Sequence, residues 1–474
     1  MKTADKYKRL LKDTFVFALG NLGSKLILFF LVPLYTNYLT TEEYGTADLV
    51  FTISQFLVPI FSVVIFDAVI RFGLSKEESA EEVLLDGLIV WAVGTVGIII
   101  VTPLFGFYKA VADWKWYLCI YSSVSILYPV LMDYLKAIDR NKTYALISVL
   151  QTAILAALNI ILLVVFRTGV KGYLLSNIFA LLVSSVLVIL IARIPVKLSK
   201  VKINKPLLRQ MVVYSAPLIL NNISWWVIHS SDKIMIEWMI GASALGIYTV
   251  ATKIPSLINV IITIFSQAWG LSAVREFEST NDEKYYSDVL SHYSFLIFSA
   301  CLMIAAITKP FMNIYVSYSF SDAWHYVPIL LVSAVYSAIA SYYGSFYSAL
   351  KKSINNMLTT VIGGIINIVV NYVLIRITGI WGAAIGTAVA YIVIALLRMI
   401  DVGKMIAIRV NWKLFALNSF IIIAYSILVS LDILILPCSI GTIFLFAVFN
   451  RDEIHFALSK TNSLLKRREN HETN

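Results

Sequence analysis

Fourteen apolar stretches, most of them about twenty residues long, run through this chain, and their length decides what it can fold into. They cover 14–38, 46–70, 84–105, 116–136, 144–166, 173–192, 211–238, 245–273, 288–308, 326–349, 355–375, 381–400, 414–431 and 434–450. About twenty apolar residues at 1.5 Å per residue match the roughly 30 Å hydrocarbon core of a bilayer. A backbone inside that core must satisfy its own hydrogen bonds, so each stretch is expected as a helix. With 59% hydrophobic and 14% charged residues and a mean hydropathy of +0.82, no soluble single domain fits. The expected class is an all-α polytopic membrane protein with about 14 transmembrane helices.

The connections carry the topology. All but nine of the 38 Lys and Arg fall on one set of alternate connections, the tails and the adjoining helix ends, with the densest cluster between Arg193 and Arg209. The positive-inside rule then puts both termini in the cytoplasm. Lys109, Lys115, Arg167, Lys171, Lys309 and Arg376 fall in outer loops, and Lys25, Lys233 and Lys253 lie inside spans. The net charge of +10 is thereby assigned to topology and anionic lipid, and a nucleic-acid role is not expected. The run from Thr14 to Tyr38 is too long for a signal-peptide core and is expected to remain as the first span. Cys119, Cys301 and Cys438 each stand alone in an apolar run, which points to packing rather than disulfides or metal.

The chain also repeats itself. Leu39-Thr-Thr-Glu-Glu-Tyr-Gly45 closes the first span, and Ile240-Gly-Ala-Ser-Ala-Leu-Gly246 closes the seventh at an offset of 201, which also places Asn21 on Asn222. Gly169-Val-Lys-Gly172 and Gly379-Ile-Trp-Gly382 match at an offset of 210. Two six-helix lobes in the same orientation follow, 1–200 and 201–405. Two extra transmembrane helices at 406–450 and a basic cytoplasmic tail at 451–474 complete the expected division. Parallel repeats around a central cleft are a transporter arrangement.

Within the seventh span Asn221, Asn222, Trp225, His229, Asp232 and Lys233 fall in an arc of roughly 120°. An ionisable group in a span is costly unless it faces protein, water or ligand, so this face reads as a cavity wall. Asp67 and Arg71 are spaced i, i+4 and suit either a local ion pair or a gating or substrate role. Asp232 suits a proton or Na⁺ site, or a pair with Lys253. His229 reads as a hydrogen-bonded cavity residue or a switch. Tyr336, Tyr343 and Tyr347 share one face of the tenth span, as Tyr117, Tyr121 and Tyr128 do of the fourth. Such faces serve either sugar stacking or helix packing.

Five stretches closely resemble the bacterial polysaccharide flippases of the multidrug, oligosaccharidyl-lipid and polysaccharide exporter superfamily. They are Gly20-Asn-Leu-Gly-Ser-Lys25, Val32-Pro-Leu-Tyr-Thr-Asn37 running on to Gly45, Asp67-Ala-Val-Ile-Arg71-Phe, Ser231-Asp-Lys233 and Tyr248-Thr-Val-Ala-Thr-Lys253. The resemblance implies export of a polyprenyl-diphosphate-linked oligosaccharide to the outer leaflet of the bacterial cytoplasmic membrane, by alternating access through a cavity between the lobes. Family members often carry Arg where this chain has Lys233, and fourteen helices are shared with peptidoglycan-precursor flippases. Substrate contacts are expected from Lys25, Arg71, Lys233, Lys253, Asn21, Asn222, Tyr336 and Tyr343, and coupling or gating from Asp67, Asp232 and His229. Membrane lipids and the lipid-linked glycan are the expected partners, with H⁺ or Na⁺ as an optional coupling ion and glycan-assembly machinery as a further candidate. No cofactor, metal or enzyme motif such as Gly-x-x-x-x-Gly-Lys or His-Glu-x-x-His occurs. An ion-coupled multidrug antiporter and a membrane-embedded glycan polymerase or ligase are the alternatives.

Overall fold

The computed structural model of this chain describes residues 25–75, 78–199, 201–279, 283–350 and 352–456, together with 23 and 459. Helices account for its regular structure, and no strand occurs among the described residues. In order they are α1 (Lys25–Tyr38), α2 (Thr41–Ser62), α3 (Ile65–Gly73), α4 (Ala80–Val101), α5 (Lys109–Ala112), α6 (Lys115–Ala137), α7 (Asn141–Asn159), α8 (Gly169–Ile191) and α9 (Ile194–Leu198). There follow α10 (Lys205–Met239), α11 (Ala242–Ala251), α12 (Lys253–Ser279), α13 (Glu283–Tyr315), α14 (Val327–Ala349), α15 (Ser353–Thr378), α16 (Ile380–Gly403), α17 (Trp412–Ser430) and α18 (Ile435–Phe449).

A helix stands on each of the fourteen apolar stretches. Among the described residues eleven are long and apolar enough to cross a membrane, and twelve if α11 and the first part of α12, bent by 44°, form one span. The described part of α1 and all of α18 are shorter apolar helices. Two expected spans are broken. Stretch 46–70 divides at Val63 and Val64, both left-handed at φ 52° and 54°, an uncommon conformation for β-branched residues. Ser62 Oγ accepts from the Val64 amide at 3.0 Å and stabilises that break. Stretch 245–273 bends at Thr252, where Pro255 has no N–H to bond the Ala251 carbonyl four residues back and its ring crowds it.

Packing divides the chain into two compact units, Met1–Val250 with Tyr315–Phe320, and Ala251–Ile314 with Ser321–Asn474. In the first, α6 lies at the centre against α2, α3, α4 and α8. Ala68 and Val69 of α3, Leu84 of α4, Val130 and Leu131 of α6 and Met211 of α10 form its buried core. Because α10 packs along α2 and α3, the seventh span belongs to this unit. In the second, α14 is enclosed by α12, α16 and α17. Small residues of α16, Ala383, Ala384, Ala388 and Ala390, are buried there and let neighbouring backbones approach closely. Large apolar side chains such as Phe30, Val93, Ile314 and Phe444 point outward in both units, as lipid contact requires.

Candidate functional site

The site grows from the start of α2. Thr40 and Glu43 form a capping box there: Thr40 Oγ1 accepts from the Glu43 amide at 3.1 Å, and the Glu43 carboxylate accepts from the Thr40 amide at 2.9 Å. One turn on, α2 crosses α11 with the backbones in contact. A Cβ added to Gly45 would overlap the carbonyl oxygen of Ala242, and one added to Gly246 would overlap that of Thr41. At the offset of 201, Thr41 corresponds to Ala242 and Gly45 to Gly246. The two overlaps are therefore one contact seen from either side of a local twofold. Thr41 Oγ1 donates to Ser243 Oγ at 3.3 Å beside it.

The next turn continues the symmetry and then breaks it chemically. Thr249 Oγ1 donates to Asp48 Oδ2 at 2.9 Å, again 201 residues apart. The same carboxylate oxygen lies 2.9 Å from Lys233 Nζ on α10. Asp48 and Asp232 are buried, and the Lys233 side chain retains 18% of its exposure. Asp232 points elsewhere: its carboxylate accepts from the Tyr248 hydroxyl in a short hydrogen bond and from the Lys233 amide at 2.8 Å. Adjacent residues on a helix point about 100° apart, which is why Asp232 and Lys233 take different partners. Trp226 Nε1 donates to the Thr52 carbonyl at 2.9 Å and fixes α10 along α2.

A buried ion pair is expensive to desolvate, and removing one partner strands the other. An ammonium has three donors, and Asp48 is the one ion-pair partner of Lys233 among the described residues. Asp48 in turn keeps its hydrogen bond from Thr249, so the carboxylate is shared between an ammonium and a hydroxyl.

Of the residues singled out in the sequence, Asp232 and Lys233 take part in this cluster. Lys25 is exposed on α1, and Arg71 is exposed at the end of α3. Asp67 is half-buried near Asp133, which pairs with Lys136 at 2.8 Å. Lys253 opens α12 in the second unit, half-buried. Asn222 donates to its own helix, to the Leu218 carbonyl at 3.0 Å, and the exposed His229 stacks on Trp225 at 5.7 Å. Asn21 lies outside the described residues. Tyr336 and Tyr343 are buried inside the second unit, Tyr336 edge-on to Phe415 and Tyr343 edge-on to Tyr342. Their face is taken up by helix packing, because α14 is surrounded. Asp48 was not singled out, and Thr249 and Tyr248 entered only as part of the stretch Tyr248-Thr-Val-Ala-Thr-Lys253, without a site role. Applying the 201-residue offset to α2 and α11 would have pointed to the first two.

A family model described as "Polysaccharide biosynthesis protein" matches residues 10–270, more than half of the chain. No curated sequence matches it. Among solved structures, the lipid II flippase MurJ in an inward closed conformation is 13% identical with a TM-score of 0.69, over 93% of this chain and 100% of that one. An inward-facing multidrug resistance MATE family transporter of the MOP superfamily is 15% identical with a TM-score of 0.67, over 82% and 93%. A mutant Vibrio cholerae MATE transporter is 15% identical with a TM-score of 0.57, over 85% and 97%. At these identities the likeness is one of fold.

Proposed function

We propose that this chain, which belongs to the polysaccharide biosynthesis protein family, is a flippase for a polyprenyl-diphosphate-linked oligosaccharide, moving it from the cytoplasmic to the outer leaflet by alternating access. The observation that carries the reading is the Asp48–Lys233 pair, held where two copies of the repeat cross. Each sugar hydroxyl left unpaired in hydrocarbon costs on the order of several kcal/mol, so the headgroup needs a protein route. The diphosphate supplies the anion that Lys233 can accept in exchange for Asp48. Lys25, Arg71 and Lys253 are further basic contacts along that route in this reading. Outward movement of negative charge is favoured by about 2.3 kcal/mol per charge per 100 mV of inside-negative potential, so a coupling ion is not required. Asp232, shared between Tyr248 and the backbone, is the group through which H⁺ or Na⁺ coupling would act.

Reconstitution of the purified protein in liposomes with a lipid-linked oligosaccharide tests the reading by accessibility of the glycan from outside. Lys233→Ala is expected to abolish flipping and Lys233→Arg to retain part of it. Full flipping by the alanine variant would reject the assigned role. Loss of gradient dependence in Asp232→Asn would support coupling there, and unchanged dependence would make the residue structural.

A further inference from the structure

The second unit contains a cavity of about 1020 Å³ among the beginning of α13, the beginning of α17 and the end of α18. It is at the upper limit of the roughly 300–1,000 Å³ of small-molecule sites. On α13 its lining residues Lys284, Ser287, Asp288, Ser291, Phe295 and Phe298 recur at helical spacing and make one face. That face is graded, from charge and hydroxyl at one end to aromatic rings three turns further in. α17 and the residue before it line the cavity with Asn411, Leu414, Phe415 and Asn418, and Phe298 meets Phe415 edge-on at 6.3 Å.

The frame is rigidly hydrogen-bonded. Asn418 and Asn450 are buried and exchange amide hydrogen bonds at 3.0 and 2.9 Å, tying α17 to the end of α18. Glu453 accepts from Ser291 and lies 2.5 Å from His292 Nδ1, tying the residues after α18 to α13. Beside the mouth, Trp412 is 54% exposed and packs on Phe415 at 6.2 Å. An exposed Trp at a helix end marks the headgroup level of a bilayer.

Both signs of charge line the mouth: Glu283, Asp288 and Glu453 on one side of the ledger, Lys284 and Arg409 on the other. A polyanion such as a diphosphate would face three carboxylates there. An uncharged head would make no charge-assisted contact with the exposed Asp288 and Arg409. A zwitterion satisfies both, and the aromatic floor suits an acyl chain.

We propose that this cavity binds a zwitterionic phospholipid bearing a primary ammonium, independently of the substrate assigned above. The lipid phosphate meets Arg409 and Lys284, the ammonium meets Asp288 and Glu283, and one chain lies on Phe295, Phe298 and Phe415. A primary ammonium gives three donors to the carboxylates, whereas a choline gives none.

Native mass spectrometry of the purified full chain tests this, with equal amounts of phosphatidylethanolamine, phosphatidylcholine, phosphatidylglycerol and a diglucosyl diacylglycerol. Phosphatidylethanolamine is expected to be retained about tenfold over each of the other three, as a charge-assisted contact made by one lipid alone implies. Asp288→Asn and Arg409→Gln, both exposed and outside the Asp48–Lys233 cluster, are expected to erase that preference with unchanged thermal unfolding. Preference for phosphatidylglycerol or for the glycolipid, equal retention of all four, or intact preference in both variants would overturn the assignment. None of these outcomes bears on flipping, so the proposal and the transport reading fail separately.

Discussion

Two cations, a half-buried one in the first unit and a buried one in the second, are treated in opposite ways. Lys233 in the first unit is matched by a carboxylate, Asp48, at 2.9 Å. Arg398 in the second is 3% exposed, and its guanidinium donates to neutral groups: to the Thr359 hydroxyl at 3.1 Å, the Ala340 carbonyl at 2.8 Å and the Thr360 hydroxyl at 2.9 Å. These acceptors belong to α14 and α15, so Arg398 on α16 ties three helices together. A cation matched by one anion rests on a single partner whose charge it needs. A cation held by carbonyl and hydroxyl oxygens is fixed by three helices at once. In the proposed function the first is the working group and the second holds the frame.

The largest expected effect follows from breaking the second arrangement. Arg398→Leu removes three charge-assisted hydrogen bonds that join three helices, and a loss of about 3 kcal/mol or more is expected by thermal or denaturant unfolding. Arg398→Lys is expected to recover little of it, because a point charge cannot span the fork. Next in size is the crossing of α2 and α11. Gly246→Ala forces a Cβ into a backbone oxygen, with an expected cost of about 1–3 kcal/mol and loss of flipping. Gly403→Ala, where an added Cβ meets nothing within 4 Å, is the control that should flip normally.

The charge pair is tested by a cycle of Lys233→Ala, Asp48→Ala and the double variant. Stability losses in the singles should exceed that of the double by about 1–3 kcal/mol, while flipping stays lost in every variant lacking Lys233. Additive losses would mean that the pair carries no coupling. The smallest effect is expected at Thr249→Val, about 1 kcal/mol, from one hydrogen bond to Asp48. A flipping rate within about twofold of wild type would place Thr249 in the frame rather than in the exchange.

The helices were legible because apolar length is a direct physical signal; the expected repeat rests on turns that match at offsets of 201 and 210. The breaks were not. Val63 and Val64 carry neither Gly nor Pro, and nothing local in two β-branched residues announces a left-handed pair. Among the charges, Lys233 and Asp232 stood out because they lie deep in a span. Asp48 sits near the start of stretch 46–70, where a carboxylate is close enough to a helix end to draw no notice. Arg398 was counted with the cytoplasmic end of its helix, although its side chain turns inward. For Tyr336 and Tyr343, helical spacing defined a common face but could not say whether that face meets a sugar, lipid or another helix. That depends on neighbours hundreds of ångströms of chain away.

At Gly45 and Gly246 the two helices touch backbone to backbone, and side-chain hydrogen bonds flank the contact on both sides, Thr41 to Ser243 and Thr249 to Asp48. A crossing this close acts as a pin. It sets the depth at which α2 and α11 meet, and Asp48, one turn beyond it, is thereby held at a fixed height against Lys233 of α10.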